Sequence, residues 1–201
     1  LVWVVGIKNY LQQQQIEGLP EELQVWDMKF DGKGRFWAAT DHEGLLIFDL
    51  KNHEMRQFLN NKLDESTLSD NTIRNILMDD RGLVWIGTYK NGVNMYKEGS
   101  NSMMNLELGD INAVSEDRYG NYWLGTNEKG ILVYNPKTNE ELARYTKENS
   151  PMLGNIMVGS YRAHDGSVWF GGYNSGLTPA TVFIPYLVSI IYLLIAELYL
   201  Q

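Results

Sequence analysis

Apolar and polar positions alternate in short blocks along most of the chain. The clearest block begins with the apolar stretch 73–78, passes through a polar turn and resumes at 83–88. The second stretch is rich in β-branched and aromatic residues, which favours a strand. A polar tip follows and ends in Asn91-Gly92, a strong hairpin signal, after which 93–96 supplies another apolar stretch. The pattern predicts short antiparallel strands joined by tight turns.

This block recurs along the sequence. Four tryptophans mark it, namely Trp37, Trp85, Trp123 and Trp169. A glycine stands three residues before each tryptophan and another seven residues after it, giving Gly34, Gly82, Gly120 and Gly166, and then Gly44, Gly92, Gly130 and Gly176. The tryptophans are 48, 38 and 46 residues apart, which fits one four-stranded propeller blade of about 40 to 50 residues per repeat.

Further columns of the repeat predict how it packs. Ala39, Gly87, Gly125 or Gly171 stands two residues after each tryptophan, and the next position is Thr40, Thr88, Thr126 or Gly172. Because side chains alternate across a strand, the tryptophan and the small residue share a face. We expect the tryptophan to fill the space between neighbouring blades and the small residue to let the next blade approach closely.

The turn before each tryptophan has its own signature. Asp31, Asp79 and Asp117 stand six residues before their tryptophans, and Ala163 breaks this column. We expect the aspartate to cap the turn and the following glycine to supply a positive φ.

The predicted fold class is all-β, an incomplete β-propeller made of consecutive four-stranded blades with an apolar C-terminal tail. We place about four to five repeat units in residues 1–177, the first and last of them incomplete. The first, at Val2–Gly6, is expected to begin inside a blade. No signal peptide is visible at the start, so a fragment or a processed chain is expected.

The tail covers residues 178–201. Its segment 182–200 is mostly apolar, with Glu197 as its single charge, and has the length of a membrane span. Against a span, Pro185 and Ser189 interrupt it and no lysine or arginine follows. Three interpretations stay open: a transmembrane helix that anchors the chain, a non-native end, or two buried strands.

Composition narrows the function classes. The net charge of −8 comes without a cluster of basic residues, which argues against a nucleic-acid partner. The chain has no cysteine and only three histidines, without metal-ligand spacing, so no metal site is expected. No nucleophile elbow, phosphate-binding loop or dinucleotide fingerprint occurs. We therefore expect no cofactor and no catalytic residue.

The pattern Asp-x-x-Gly-x-x-Trp-x-Gly-Thr-x-x-x-Gly-hydrophobic, seen at Asp79–Val93 and Asp117–Ile131, resembles the two-component regulator propeller repeat. The lead-ins Leu68–Ile73 and Met152–Ile156 resemble the connection between blades in that family. The Gly-His and Trp-Asp ends of WD40 units are absent. Quinoprotein-like repeats share the Gly-Thr dipeptide and remain an alternative assignment of the repeat type.

The resemblance implies a function. In that family, common in Bacteroidetes, such propellers form the periplasmic part of hybrid two-component sensors that detect oligosaccharides. It implies a periplasmic ligand-sensing fragment, with further blades and a histidine kinase region elsewhere in the parent protein. Two alternatives stay open: a scaffold for protein–protein interaction and, less favoured, a propeller lyase or hydrolase.

Ligand contacts are expected at hairpin tips between the second and third strands of each blade, because loops held by rigid strands carry function. Tyrosine rings stack on sugars, and asparagine, aspartate and lysine meet hydroxyl groups. The same composition also suits plain hairpin tips. The candidate ligand-binding residues are Asp41, His42, Tyr89, Lys90, Asn91, Asn127, Glu128, Tyr173 and Asn174.

Overall fold

The computed structural model describes residues 2–79, 81–100 and 102–180, with side chains from residue 7 onward. Nearly all of the apolar tail, and with it the three interpretations of residues 182–200, lies outside this part of the chain. The chain divides into two compact units, residues 1–114 and residues 115–201. Each unit is described by itself below.

The first unit contains a helix, α1 (Val2–Gln13), and two four-stranded antiparallel sheets, here called blades 1 and 2. Blade 1 consists of β1 (Val25–Phe30), β2 (Arg35–Thr40), β3 (Leu45–Asp49) and β4 (Glu54–Phe58). Blade 2 consists of β5 (Ile73–Met78), β6 (Leu83–Thr88), β7 (Val93–Lys97) and β8 (Met103–Leu106). In each blade the strands follow one another in chain order.

Two further sheets follow. Blade 3 consists of β9 (Ile111–Glu116), β10 (Tyr122–Thr126), β11 (Ile131–Asn135) and β12 (Glu140–Tyr145). Blade 4 has three strands within the described residues, β13 (Met157–Arg162), β14 (Val168–Gly172) and β15 (Gly176–Pro179). The predicted fold class, all-β with consecutive four-stranded propeller blades, is confirmed.

The turns between the first and second strands have the predicted geometry. Asp31, Asp79 and Asp117 each accept hydrogen bonds from backbone N–H groups two and four residues further on. The glycine column takes φ values between +78° and +95°, at Gly34, Gly82, Gly120 and Gly166. In blade 4, where alanine replaces the aspartate, Asp165 takes over by accepting from the backbone N–H and the hydroxyl of Ser167.

Trp37 lies between blades 1 and 2, as its position in the repeat predicted. Its side chain is buried together with Ile47 of blade 1 and with Ile76 and Ile86 of blade 2. Its ring also lies 5.9 Å, centroid to centroid, from the ring of Tyr96. The tryptophan is therefore the centre of the apolar contact between the two blades.

The small residue two positions after the tryptophan is required for close approach. A Cβ on Gly87 would lie 3.2 Å from the carbonyl oxygen of Ile111, at the start of β9. In the second unit, a Cβ on Gly125 would lie 2.7 Å from Cβ of Met157 and 3.0 Å from the ring of Phe170. The strand of the next blade thus packs directly on the glycine backbone.

The N-terminal expectation was wrong. The sequence predicted a strand of a partial blade at Val2–Gly6, whereas these residues belong to α1. A helix satisfies its own backbone hydrogen bonds, and further along α1 Ile7 and Leu11 join an apolar cluster with Phe36 and Phe48 of blade 1. The apolar face of the helix therefore covers the side of blade 1 that faces away from Trp37.

Candidate ligand-binding face

The hairpins between the second and third strands are held by the threonine of the repeat. Thr40, Thr88 and Thr126 are buried, and each hydroxyl donates to the carbonyl oxygen of the glycine four residues later, at 2.6 to 2.9 Å. In two hairpins the same hydroxyl accepts from a backbone N–H at the tip, that of Asn91 or Lys129. The signature therefore fixes the loops that carry the candidate residues.

The connectors before β5 and β13 bind to these hairpins. In the first unit, the carbonyl of Asn71 accepts from Gly44 N of blade 1 at 2.8 Å, and the carbonyl of Thr72 accepts from Tyr89 N of blade 2 at 3.0 Å. In the second unit, Asn155 and Ile156 accept in the same way from Gly130 and Tyr173. The lead-in recognised in the sequence is thus a link between hairpins of successive blades.

The asparagine of the lead-in also closes its own connector. Oδ1 of Asn71 accepts from the backbone N–H of Asn60, and Oδ1 of Asn155 accepts from that of Lys147. In each of these two connectors, the asparagine near the C-terminal end thereby holds the backbone near the N-terminal end. Sequence analysis quoted these residues but assigned them no role, although their recurrence before two first strands was a usable signal.

A second clamp holds the connector of residues 59–72. Asn94 on β7 is fully buried; its Oδ1 accepts from the backbone and hydroxyl of Ser69 at 3.0 and 2.7 Å, and its amide donates to the carbonyl of Thr67. The corresponding residues of blades 1 and 3 are Leu46 and Leu132. A polar residue where blades 1 and 3 have leucine therefore marks the place where this connector is bound.

The connector and the outer strand of blade 2 form the walls of an open cleft of about 1390 Å³. It is lined by the connector, by the hairpin residues Lys90 and Asn91, and by β8 with the residues that follow it, up to Gly109. Amides, hydroxyls and carboxylates dominate the lining, among them Asn61, Asp64, Ser66 and Asn105. Such a surface offers many donors and acceptors to a ligand rich in hydroxyl groups.

Two features of the lining bear on its electrostatics. The hydroxyl and the backbone N–H of Ser66 donate to Asp64 and hold the pKa of that carboxyl below its usual value. The side chain of Asn105 makes no hydrogen bond within the described residues, and its Oδ1 is shielded from solvent. The cleft thus contains a fixed negative charge and an amide whose hydrogen-bonding capacity is unused.

The structure places the candidate residues of the first unit in three settings. Lys90 and Asn91 line the cleft, where the Asn91 amide donates to the carbonyl of Ser69 at 2.9 Å. His42 has a φ of +73° and places Nδ1 3.1 Å from the hydroxyl of Thr72, and its Nε2 is 3.7 Å from Asp41. The Tyr89 ring lies 4.6 Å from the guanidinium of Arg74. Asp41 and His42 are not part of the cleft lining.

In the second unit, the candidates occupy the corresponding hairpin tips. Glu128, Tyr173 and Asn174 are exposed, and Asn127 is partly buried. Asn174 has a φ of +54° at its tip. The positions agree with the predicted loops, and the role of these residues in binding stays a prediction.

The cleft itself was not predicted. Apart from Lys90 and Asn91, its lining comes from the connector and from β8, which sequence analysis treated as variable loop and outer strand. Within the described part of the chain, no group of three or more histidine, cysteine or acidic side chains has the arrangement of a metal site. None of the described helices is long and apolar enough to cross a membrane.

Comparisons with known proteins show which family of repeats the sequence matches. Residues 67–90 and 105–128 match the family model described as Two component regulator propeller. The structure is similar to the extracellular domain of a protein described as a hybrid two component system from B. thetaiotaomicron, with a TM-score of 0.71 and 17% identity over 84% of this chain and 23% of that chain. No curated protein matches the sequence.

Other solved structures share the fold. The extracellular domain of a protein described as a one component system from B. thetaiotaomicron matches with a TM-score of 0.55 and 17% identity, over 81% of this chain and 28% of that one. The WD40 β propeller domain of Doa1 matches with a TM-score of 0.61 and 9% identity, over 82% of this chain and 52% of that one. The chain spans about a quarter of the length of the two extracellular domains.

Proposed function

We propose that this chain, which carries two component regulator propeller repeats, is an extracytoplasmic ligand-sensing segment of a two-component sensor. Its ligand is an oligosaccharide, bound at the cleft between the connector and blade 2. The match to the family over residues 67–90 and 105–128 supports the sensor role. The extracellular domains that share the fold are named as parts of signalling systems, which supports the location.

The polar cleft is the observation that carries the proposal. Its volume of about 1390 Å³ exceeds the range of about 300 to 1,000 Å³ typical of small-molecule pockets, which leaves room for several sugar units. Its amides and hydroxyls match the alternating donors and acceptors of a sugar. Binding there requires no chemical step, so the proposed role is that of a receptor and not of an enzyme.

The route of the signal follows from the same residues. The connector that lines the cleft also binds the hairpins of blades 1 and 2 through Asn71 and Thr72. A ligand that contacts the connector therefore acts on two blades at once. We propose that further blades and a histidine kinase region of the parent protein receive this change.

The test is calorimetric titration of the full chain with a panel of neutral oligosaccharides. The double variant Lys90→Ala/Asn105→Ala removes two side chains of the cleft. It should weaken binding on the order of tenfold or more, since each lost hydrogen bond contributes about 1 kcal/mol. Lys51→Ala/Asn52→Ala removes the same residue types from the exposed turn between β3 and β4 and should leave affinity unchanged.

Two outcomes would contradict the proposal. One is the absence of binding to every oligosaccharide of the panel by a chain that thermal unfolding shows to be folded. The other is binding that both double variants weaken equally, because the cleft would then not be the site.

A further inference from the structure

Arg74 is held against two aromatic rings at one end of the innermost strands of blades 1 and 2. Its guanidinium carbon lies 4.0 Å from the ring centroid of Trp26 on β1 and 4.6 Å from that of Tyr89 in the hairpin after β6. Lys90, the next residue along that hairpin, places Nζ 5.4 Å from the same Tyr89 ring. Two positive charges thus lie beside one aromatic pair.

Arg74 has no carboxylate partner within the described residues, in contrast to several other arginines of the chain. Arg35 pairs with Asp31 and Glu98, and Arg81 pairs with Asp79. The Arg74 side chain makes no hydrogen bond to a described residue, and its Nε is buried. In a chain with a net charge of −8, the Arg74 guanidinium is thus held by aromatic rings and not by a carboxylate.

Asp27, which follows Trp26 in the sequence, is not a carboxylate partner of Arg74. Its Oδ1 accepts from Lys29 Nζ at 2.9 Å, and its Oδ2 accepts from Asn75 Nδ2 at 3.1 Å and from the backbone N–H of Ile76 at 2.9 Å. Both oxygens are therefore engaged by groups of β1 and β5 other than the Arg74 guanidinium.

The rings of Trp26 and Tyr89 hold the Arg74 side chain in position before a ligand binds. Stacking on aromatic faces restricts the guanidinium without neutralising it, so less conformational freedom is lost when a ligand binds. Burial of Nε leaves the terminal nitrogens as the donors available to a ligand. A guanidinium presents two parallel N–H donors that match the two oxygens of a carboxylate. Trp26 is 52% exposed, so part of its indole remains open for stacking.

We propose that Arg74 and Trp26 form a subsite for a carboxylate-bearing sugar, with Arg74 binding the carboxylate and Trp26 stacking against the sugar ring. The inference rests on the proposed function, because it names the chemical class of one unit of the oligosaccharide. Lys90 lines the cleft and also stands beside Tyr89, so the subsite adjoins that cleft.

The test compares galacturonate trisaccharide with the neutral galactose trisaccharide by calorimetry on the full chain. The acidic sugar should bind at least tenfold more tightly, and its advantage should shrink as salt is raised. Arg74→Met should abolish the advantage, and Arg74→Lys should restore only part of it, because an ammonium lacks the paired donors. Arg56→Met is the matched control, since Arg56 also stacks on a ring, that of Phe58, at 5.4 Å.

The outcomes separate this inference from the proposed function. Equal affinity for the two sugars, or an acidic preference that survives Arg74→Met, would overturn the subsite while leaving an oligosaccharide receptor in place. Failure of both sugars and of the whole neutral panel would count against the receptor itself. Thermal unfolding of each variant establishes that a lost preference does not reflect a lost fold.

Discussion

Nε1 of Trp123 lies 3.0 Å from Oδ2 of Asp117, so the ring that marks the repeat donates a hydrogen bond to the carboxylate six residues before it. Trp37 and Asp31 make the same contact at 3.4 Å. In blade 4, where Ala163 replaces the aspartate, Trp169 donates to Ser167 Oγ at 3.2 Å. In blades 1 and 3 the aspartate thus caps the turn and also orients the tryptophan.

Asp117→Ala should destabilise the chain by about 1.5 to 3 kcal/mol, because it removes a charged acceptor used by two backbone N–H groups and by the indole. Urea unfolding followed by tryptophan fluorescence measures the change. Asp165→Ala, at an exposed turn in the same unit, should cost clearly less. Equal losses in the two variants would show that the bond to the indole contributes nothing.

Substitutions at two glycines of blade 2 allow the cost of backbone strain to be compared with the cost of a steric clash. Gly82 and Gly92 have φ values of +78° and +82°; a Cβ on Gly82 meets nothing within 4 Å, whereas a Cβ on Gly92 would lie 2.0 Å from the carbonyl oxygen of Leu106. Gly82→Ala should therefore lower the free energy of unfolding by about 1 to 2 kcal/mol. Gly92→Ala should lower it by at least about twice as much. Chemical denaturation of the two variants side by side decides this, and similar losses would contradict the clash.

Acid should weaken the contact between blades 1 and 2. Lys33 and Arg35 of blade 1 donate to Glu98 of blade 2 and hold its pKa below the usual value. Burial of Asp31 opposes ionisation, but the hydrogen bonds it accepts from Lys33, Arg35 and Trp37 outweigh burial and lower its pKa. A carboxyl with a lowered folded pKa stabilises the fold above its unfolded pKa, and this contribution is lost as pH falls through the folded pKa.

The free energy of unfolding should therefore fall between about pH 6 and about pH 3, the range in which free carboxyl groups take up protons. Glu98→Gln should make this fall less steep, because the variant has one group fewer that binds a proton on unfolding. Lys33→Gln should do the same in part, since it removes one of the donors to Glu98. Parallel pH profiles for the three proteins would refute the assignment.

Asn94→Leu makes blade 2 resemble blades 1 and 3 at the position of Leu46 and Leu132. The leucine cannot accept from Ser69 or donate to Thr67, so the connector should loosen. We expect a loss of about 1 to 3 kcal/mol, the cost of leaving buried polar groups unpaired. Hydrogen exchange should become faster at residues 66–70, with the exposed Asn52→Leu as control. Unchanged exchange there would mean that other bonds hold the connector.

Much of the strand framework was readable from the sequence, because the alternating apolar pattern and the turn residues act locally. The stretches 73–78 and 83–88 coincide with β5 and β6, and β7 extends the predicted 93–96 by one residue. The opening of the chain was misjudged because a short apolar run rich in valine suits a strand or a helix equally.

The cleft could not be read in the same way. It arises where the connector of residues 59–72 passes along β7 and β8, a contact between segments about 30 residues apart that no local period encodes. Asn94 was an available signal, since leucine occupies the same position in blades 1 and 3. Of the predicted tips, Lys90 and Asn91 line the cleft because their hairpin lies beside this connector.

The adjacent carbonyls of Asn71 and Thr72 hold hairpins of two different blades, and only the backbone dihedrals of Thr72 separate the two peptide planes. Those dihedrals are restrained in turn, because Asp70 accepts from the Thr72 N–H and the Thr72 hydroxyl contacts His42. Thr72 therefore acts as a stiff joint. The positions of the two hairpins relative to each other are therefore restrained through this one residue.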